Sequence, residues 1–112
     1  LRLASFMGKP ACLEIAYTRG VCGHAFTKQV TTLVDDVHQF PGHIVCDEKS
    51  RSEMVIPFFV ENKIVGVLDV DSPSVARFTK DDKILLEKAV QILSQKISEN
   101  SKLHPDEVFG RI

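Results

Sequence analysis

Two periodicities divide the chain. "LRLAS", Leu1 to Ser5, alternates apolar and polar positions and predicts a strand, and "ACLEIAY", Ala11 to Tyr17, predicts a second that ends at Arg19-Gly20. "GVCGHAFTKQ" predicts a short helix with Gly20 and Gly23 near its start, and "VTTLV", Val30 to Val34, is β-rich. Asp35 to Ser50 is a long polar loop whose sharpest turn signal is Pro41-Gly42. A loop of that length inside a compact domain is usually functional or disordered. "EMVIPFFV" and "KIVGVLDV" then flank Glu61-Asn62, and together they predict a hairpin in which Asn62 takes the left-handed conformation. Pro57, inside the first of these runs, indicates an edge or a bulge, because it cannot donate to a ladder.

After Asp71-Ser72-Pro73 the period changes to that of a helix. Thr79 is a good N-cap, and Asp81 and Asp82 suit the first turn. Leu86, Val90, Leu93 and Ile97 form one apolar stripe, widened by Leu85, Ala89 and Ile92. From Asn100 the chain is polar and predicts a fraying tail. Strands followed by a packing helix predict an α+β domain over residues 1–99, with residues 100–112 as the tail.

A length of 112 residues supports one domain, and 44% hydrophobic with 26% charged residues is ordinary for a globular chain. A net charge of −1 without a long basic block argues against nucleic acid or an anionic membrane as partner. No apolar run is long enough to span a bilayer, and "LRLASFMGKP" lacks the apolar core of a secretory signal. The chain begins at Leu1 and directly in strand-like alternation, so a preceding segment is expected. The cysteines are Cys12, Cys22 and Cys46, an odd set without a Cys-x-x-Cys pair. That points to a reducing cytoplasm rather than a secreted disulfide scaffold. Cys22-x-His24 and His43-x-x-Cys46 lack the paired spacing of structural zinc sites, so neither a metal nor a bound cofactor is expected.

Three features could carry chemistry. Cys46 sits in the polar loop beside Pro41-Gly42, Asp47 and Glu48. It is either a small apolar residue turned inward or an accessible, redox-competent thiol. Either Cys12 is a packing residue and Cys22 a small turn or helix residue, or one of the two resolves a sulfenic acid at Cys46. Glu53, Asp69 and Asp71 interrupt otherwise apolar runs, and Asp69 and Asp71 share one face of their strand. They are either strand-end solvation or a site for a small cation. A three-residue hairpin loop would set Glu53 opposite Asp71 on that face; a two-residue loop would turn it away unless a bulge intervenes.

"GKPAC", "GVCG", "DVHQFPGHIVCD", "SRSEMVIP" and "VGVLDVDSP", in that order, closely resemble the free methionine-(R)-sulfoxide reductases, which are GAF-type domains. The resemblance runs from about Leu1 to Leu93, and its specific part is the cysteine spacing of ten and then twenty-four residues. It implies an antiparallel sheet with flanking helices, often in a homodimer, and thioredoxin as external reductant. It implies Cys46 as nucleophile, Cys12 as resolving thiol and Cys22 as a third or alternative redox cysteine. It implies Glu53, Asp69 and Asp71 as acids lining the pocket for free methionine sulfoxide. The family also has an N-terminal segment with helices, a first strand and a tryptophan; this chain has no Trp, which fits a start after that segment. The expected reaction passes through a sulfenic acid at Cys46 and an intramolecular disulfide. The rival expectation is a GAF ligand-binding module without turnover, since the fold alone mostly hosts sensing.

Overall fold

The protein is described from a computed structural model, which covers residues 2–6, 20–41, 50–100 and 108–111. The elements are β1 (Arg2–Phe6), α1 (Gly20–Lys28), β2 (Thr32–Val34), a 3₁₀ turn (Val37–Gln39), β3 (Ser52–Val60), β4 (Lys63–Ser72), α2 (Lys80–Asn100) and β5 (Val108–Arg111). Five strands form one sheet in the order β1-β5-β4-β3-β2. β2, β3 and β4 are antiparallel, whereas β5 lies parallel to both β4 and β1. The α+β expectation is met. The strand expected at Ala11–Tyr17 falls outside the described residues. The polar tail, expected only to fray, contributes β5.

Sheet period decides which residues meet which helix. Val55 of β3 and Val67 of β4 share a core with Val21, Cys22 and Ala25 of α1, joined by Val34 and Val37. Met54 and Ile56 point to the other face, with Leu68 and Val70, and pack against Leu86 and Val90 of α2. The result is a sheet between two helices, with one apolar cluster on each side. Burial of Met54, Val55 and Val67 at 2% exposure or less marks the hairpin as the centre of both clusters.

The hairpin turn is the two-residue Glu61-Asn62, with φ of 52° and 67°, the paired positive values of a type I′ turn. Near the turn Val60 pairs with Lys63 and Phe59 with Ile64, but Phe58 pairs with Gly66. Val65 is therefore an extra residue in β4, and the register shifts by one from there on. The bulge sits opposite Phe58 and Phe59, not at Pro57. β2 pairs with β3 only as far as Val55, so Pro57 lies where β3 has become the sheet edge.

α2 starts with a capping box. Asp82 N–H donates to Thr79 Oγ1 (3.2 Å), and Thr79 N–H donates back to Asp82 Oδ2 (2.9 Å). That backbone donor is the main reason the exposed Asp82 carboxyl titrates below its ordinary value. Thr31 Oγ1 donates to Glu87 Oε2 (2.7 Å) and Ser98 Oγ to Glu61 Oε1 (3.0 Å), tying the helix to the residue that precedes β2 and to the hairpin turn. The apolar stripe is only partly used. Leu86 and Val90 face the sheet, but Leu85, Ile92 and Leu93 are 66%, 59% and 52% exposed, and Ala89 is also exposed. The helix lays one edge of its stripe on the sheet, so the widening residues turn outward instead of completing the core.

Thr79→Ala removes the acceptor for Asp82 N–H, and urea unfolding should show a loss of about 1 kcal/mol. An unchanged midpoint would mean that the first turn of α2 contributes little to folding.

Candidate active site

The bulge at Val65 has a direct consequence for the acids. With the register shifted, Glu53 pairs with Asp71 and Val55 with Asp69. All three carboxylates stand on the face that α1 covers. The condition set by the two-residue loop is thus met by a bulge, in β4 rather than at Pro57.

α1 brings the thiol. Cys22 lies in its first turn, 4% exposed, and its Sγ is 4.0 Å from Glu53 Oε2, donating to it. Glu53 and Asp69 are 7% and 5% exposed, and Asp71 is half-buried. The ligand atoms of Cys22, Glu53 and Asp69 all lie within 4.8 Å of one another. The Asp69 carboxyl is pushed well above its ordinary value, first by burial, then by the charge of Glu53 and a hydrogen bond to it, then by Asp71 in the same two ways. Two carboxylates so close in a buried site cannot both ionise cheaply, so the arrangement favours the protonated form of Asp69. Such a site offers a proton donor and anionic acceptors for a cationic group at once.

The polar frame around these residues was not read from the sequence. Ser52 Oγ donates to Ser74 O (2.6 Å) and accepts from Arg77 N–H (3.4 Å), while Ser74 N–H donates to Ser72 Oγ (3.1 Å). Ala76, at φ 53°, donates its N–H to Asp35 O (2.8 Å). These bonds fix the strand ends next to Glu53 and Asp71. Ser-x-Ser spacing around Pro73 was the available signal, and it reads equally well as a turn.

Cys46, Cys12 and His43 lie outside the described residues. The two flanks of the Cys46 segment are nevertheless anchored here. Val37 N–H donates to Arg51 O (2.7 Å), and Arg51 N–H donates to Ser72 O (2.8 Å), one residue from the Glu53–Asp71 pair. The Arg51 side chain is exposed. His24 is also exposed and meets the Phe40 ring edge-on at 5.7 Å, so Cys22-x-His24 does not converge as a ligand pair. An open groove of about 800 Å³ lies on the opposite side of the sheet, between α2 and β3, lined by Val90, Ile56, Phe59 and Glu87 among others. It contains neither the thiol nor the paired acids.

A sheet with α1 over a buried acid face is the layout of a GAF domain. Residues 2–97 match the GAF domain family, and the chain belongs to it. It is 45% identical over 98 residues to the free methionine-R-sulfoxide reductase of Escherichia coli, covering 88% of this chain and 59% of that one. The structure of the free methionine-R-sulfoxide reductase of Neisseria meningitidis in complex with its substrate superposes with a TM-score of 0.80 at 40% identity, covering 86% of this chain and 59% of that one. fRMsr of Staphylococcus aureus in its reduced form superposes with a TM-score of 0.77 at 49% identity, covering 80% and 58%. The chain spans about three fifths of the length of the curated relatives it matches. No helix among the described residues is long and apolar enough to cross a membrane.

The Asp69 shift has a sign that can be measured. A carboxyl whose folded pKa is raised binds its proton more tightly in the native state. Its contribution is fully present below the unfolded value of about 3.9 and is lost as pH rises towards the folded value. Asp69→Asn removes that loss. Urea unfolding across a pH series should show the variant gaining on the wild type as pH rises from about 4 to 7. A parallel pair of curves would mean that Asp69 titrates normally.

Proposed function

We propose that this chain carries the catalytic chemistry of a free methionine-(R)-sulfoxide reductase. The observation that carries the reading is the buried cluster of Glu53, Asp69 and Cys22, with Asp71 beside it and with Val37 and Arg51, which flank the Cys46 segment in sequence, bonded at the same strand end. The relatives and solved structures named above support it. The substrate's ammonium group is matched to the acids, which are already desolvated by the fold. A peptide-bound sulfoxide offers an amide there, which cannot compensate the buried carboxylates, so it is refused.

In the proposed reaction the Cys46 thiolate attacks the sulfoxide sulfur, and the oxygen takes the proton of Asp69. Attack forms a bond between the Cys46 and methionine sulfurs, with the new hydroxyl on the methionine sulfur; that sulfur–sulfur bond and the methionine sulfur–oxygen bond then break as the hydroxyl passes to Cys46, so methionine leaves as the thioether and Cys46 is left as a sulfenic acid. The Cys12 thiol then condenses with it, releasing water and forming a disulfide. Thioredoxin reduces that disulfide by exchange and supplies the two electrons. Cys22 is buried against Glu53, which suits a thiol within the pocket better than one that must meet a protein reductant. The soluble, reducing cytoplasm is the compartment this cycle needs, and homodimer formation belongs to the same proposal.

The test is NADPH consumption with thioredoxin, its reductase and the two epimers of free methionine sulfoxide. The R epimer should be turned over and the S epimer and an N-acetylated substrate should not. A ligand-binding module would consume no NADPH with any of them. Cys46→Ser should release no methionine even in a single turnover with protein in excess. Cys12→Ser should keep about one turnover per protein but lose multiple turnovers by at least ~10-fold. A bridge between Cys22 and Cys46 found by mass spectrometry, with Cys12 still alkylatable, would exchange the roles of the two thiols. Glu53→Gln should raise KM for the free amino acid more than it lowers kcat.

A further inference from the structure

Cys22, Glu53 and Asp69 come from three separate elements, so no sequence spacing announces them as a donor set. Each is more than nine-tenths buried, and their ligand atoms lie within 4.8 Å of one another. A thiol beside two carboxylates suits a borderline or soft divalent ion and is a poor match for magnesium or calcium, which prefer oxygen alone. In a tetrahedral zinc shell, with Zn–S of ~2.3 Å and Zn–O of ~2.0 Å, neighbouring donors stand roughly 3.5 Å apart. Cys22 Sγ and Glu53 Oε2 are already at 4.0 Å, so that edge needs to contract by about 0.5 Å and no other edge of the triad by more than about 1.3 Å, within the reach of side-chain rotation. A bound cation also relieves the repulsion between two buried carboxylates. Asp71, half-buried and paired with Glu53, or a water molecule, completes the shell.

We propose that Cys22, Glu53 and Asp69 bind one zinc or cadmium ion, and that the ion holds the acid face in a closed state by occupying the place of any cationic ligand. Binding is a proton exchange: the Cys22 thiol and the protonated carboxyl each release a proton as the metal–sulfur and metal–oxygen bonds form. No electron is transferred. Metal binding does not depend on the reductase reading, although the block on turnover does.

The test is titration of the reduced chain with cadmium, followed by the ultraviolet thiolate-to-cadmium charge-transfer band, and then with zinc against a chromophoric chelator. The expected result is one ion per chain with the charge-transfer band present. The band should vanish in Cys22→Ser and persist in Cys12→Ser and Cys46→Ser. Glu53→Gln, which retains the thiol, should weaken zinc by at least ~10-fold and keep a native circular dichroism spectrum. Absence of the band in the wild type, its survival in Cys22→Ser, its loss in Cys46→Ser, or unchanged zinc affinity in Glu53→Gln would each overturn the proposal. Turnover of methionine sulfoxide in metal-free buffer reports on the reductase reading separately, so either can fail alone.

Discussion

The pairing of β3 with β4 is the constraint on which the rest of the molecule depends. One hairpin supplies residues to both apolar clusters, receives α1 on one face and α2 on the other, and carries all three acids. Its register assigns each side chain to a face, and a shift of one residue would exchange the two sets. The apolar residues enforce that register. Met54, Val55 and Val67 are buried at 2% or less, and slipping them would put Glu53 and Asp69 under α2 and Met54 and Ile56 under α1.

The same register forces an unfavourable arrangement at one end. Glu53 and Asp69 are buried side by side, with Asp71 adjacent, and burial works against every negative charge there. Such a site is stabilised by a proton, a bound cation or both, and it stays low in energy only while one of them is present. The serine bonds from Ser52 to Ser74 and from Ser74 to Ser72, with the Arg51–Ser72 backbone contact, hold the strand ends that keep the acids close. Apolar packing on the remainder of the hairpin offsets the cost, which is why the charged cluster can sit at the strand end and not in the middle of the sheet.

Much of this was legible in the chain, for reasons that differ by element. The hairpin strands and α2 were visible because their periods are long and unbroken, and Thr79 marked the helix start through its side-chain chemistry. Asp69 and Asp71 were placed on one face by the period of two. Glu53 was not, because its face depends on a bulge at Val65; Gly66 inside the strand was the one local signal, and it reads equally well as a close backbone approach. The outward turn of Leu85, Ile92 and Leu93 was hidden as well: periodicity defines a stripe but not how the helix is rotated against the sheet. Cys22 read as a turn or packing residue, since its approach to Glu53 joins residues thirty-one apart. The strand β5 was missed because Val108–Arg111 is too short to alternate convincingly in a polar setting.

The bulge at Val65 makes the site depend on arithmetic more than on chemistry. A side chain between Val65 and Asp69 can change without moving an acid, because the backbone still counts the same number of steps from the turn. Losing one residue in that interval while the bulge persists would instead rotate Asp69 and Asp71 together to the far side of the sheet. Descent from a common ancestor would therefore explore this strand by replacement alone, and length changes would be pushed out to the Glu61-Asn62 turn or beyond Pro73. The hairpin thus acts as a ruler, and a ruler tolerates new markings far better than a missing division.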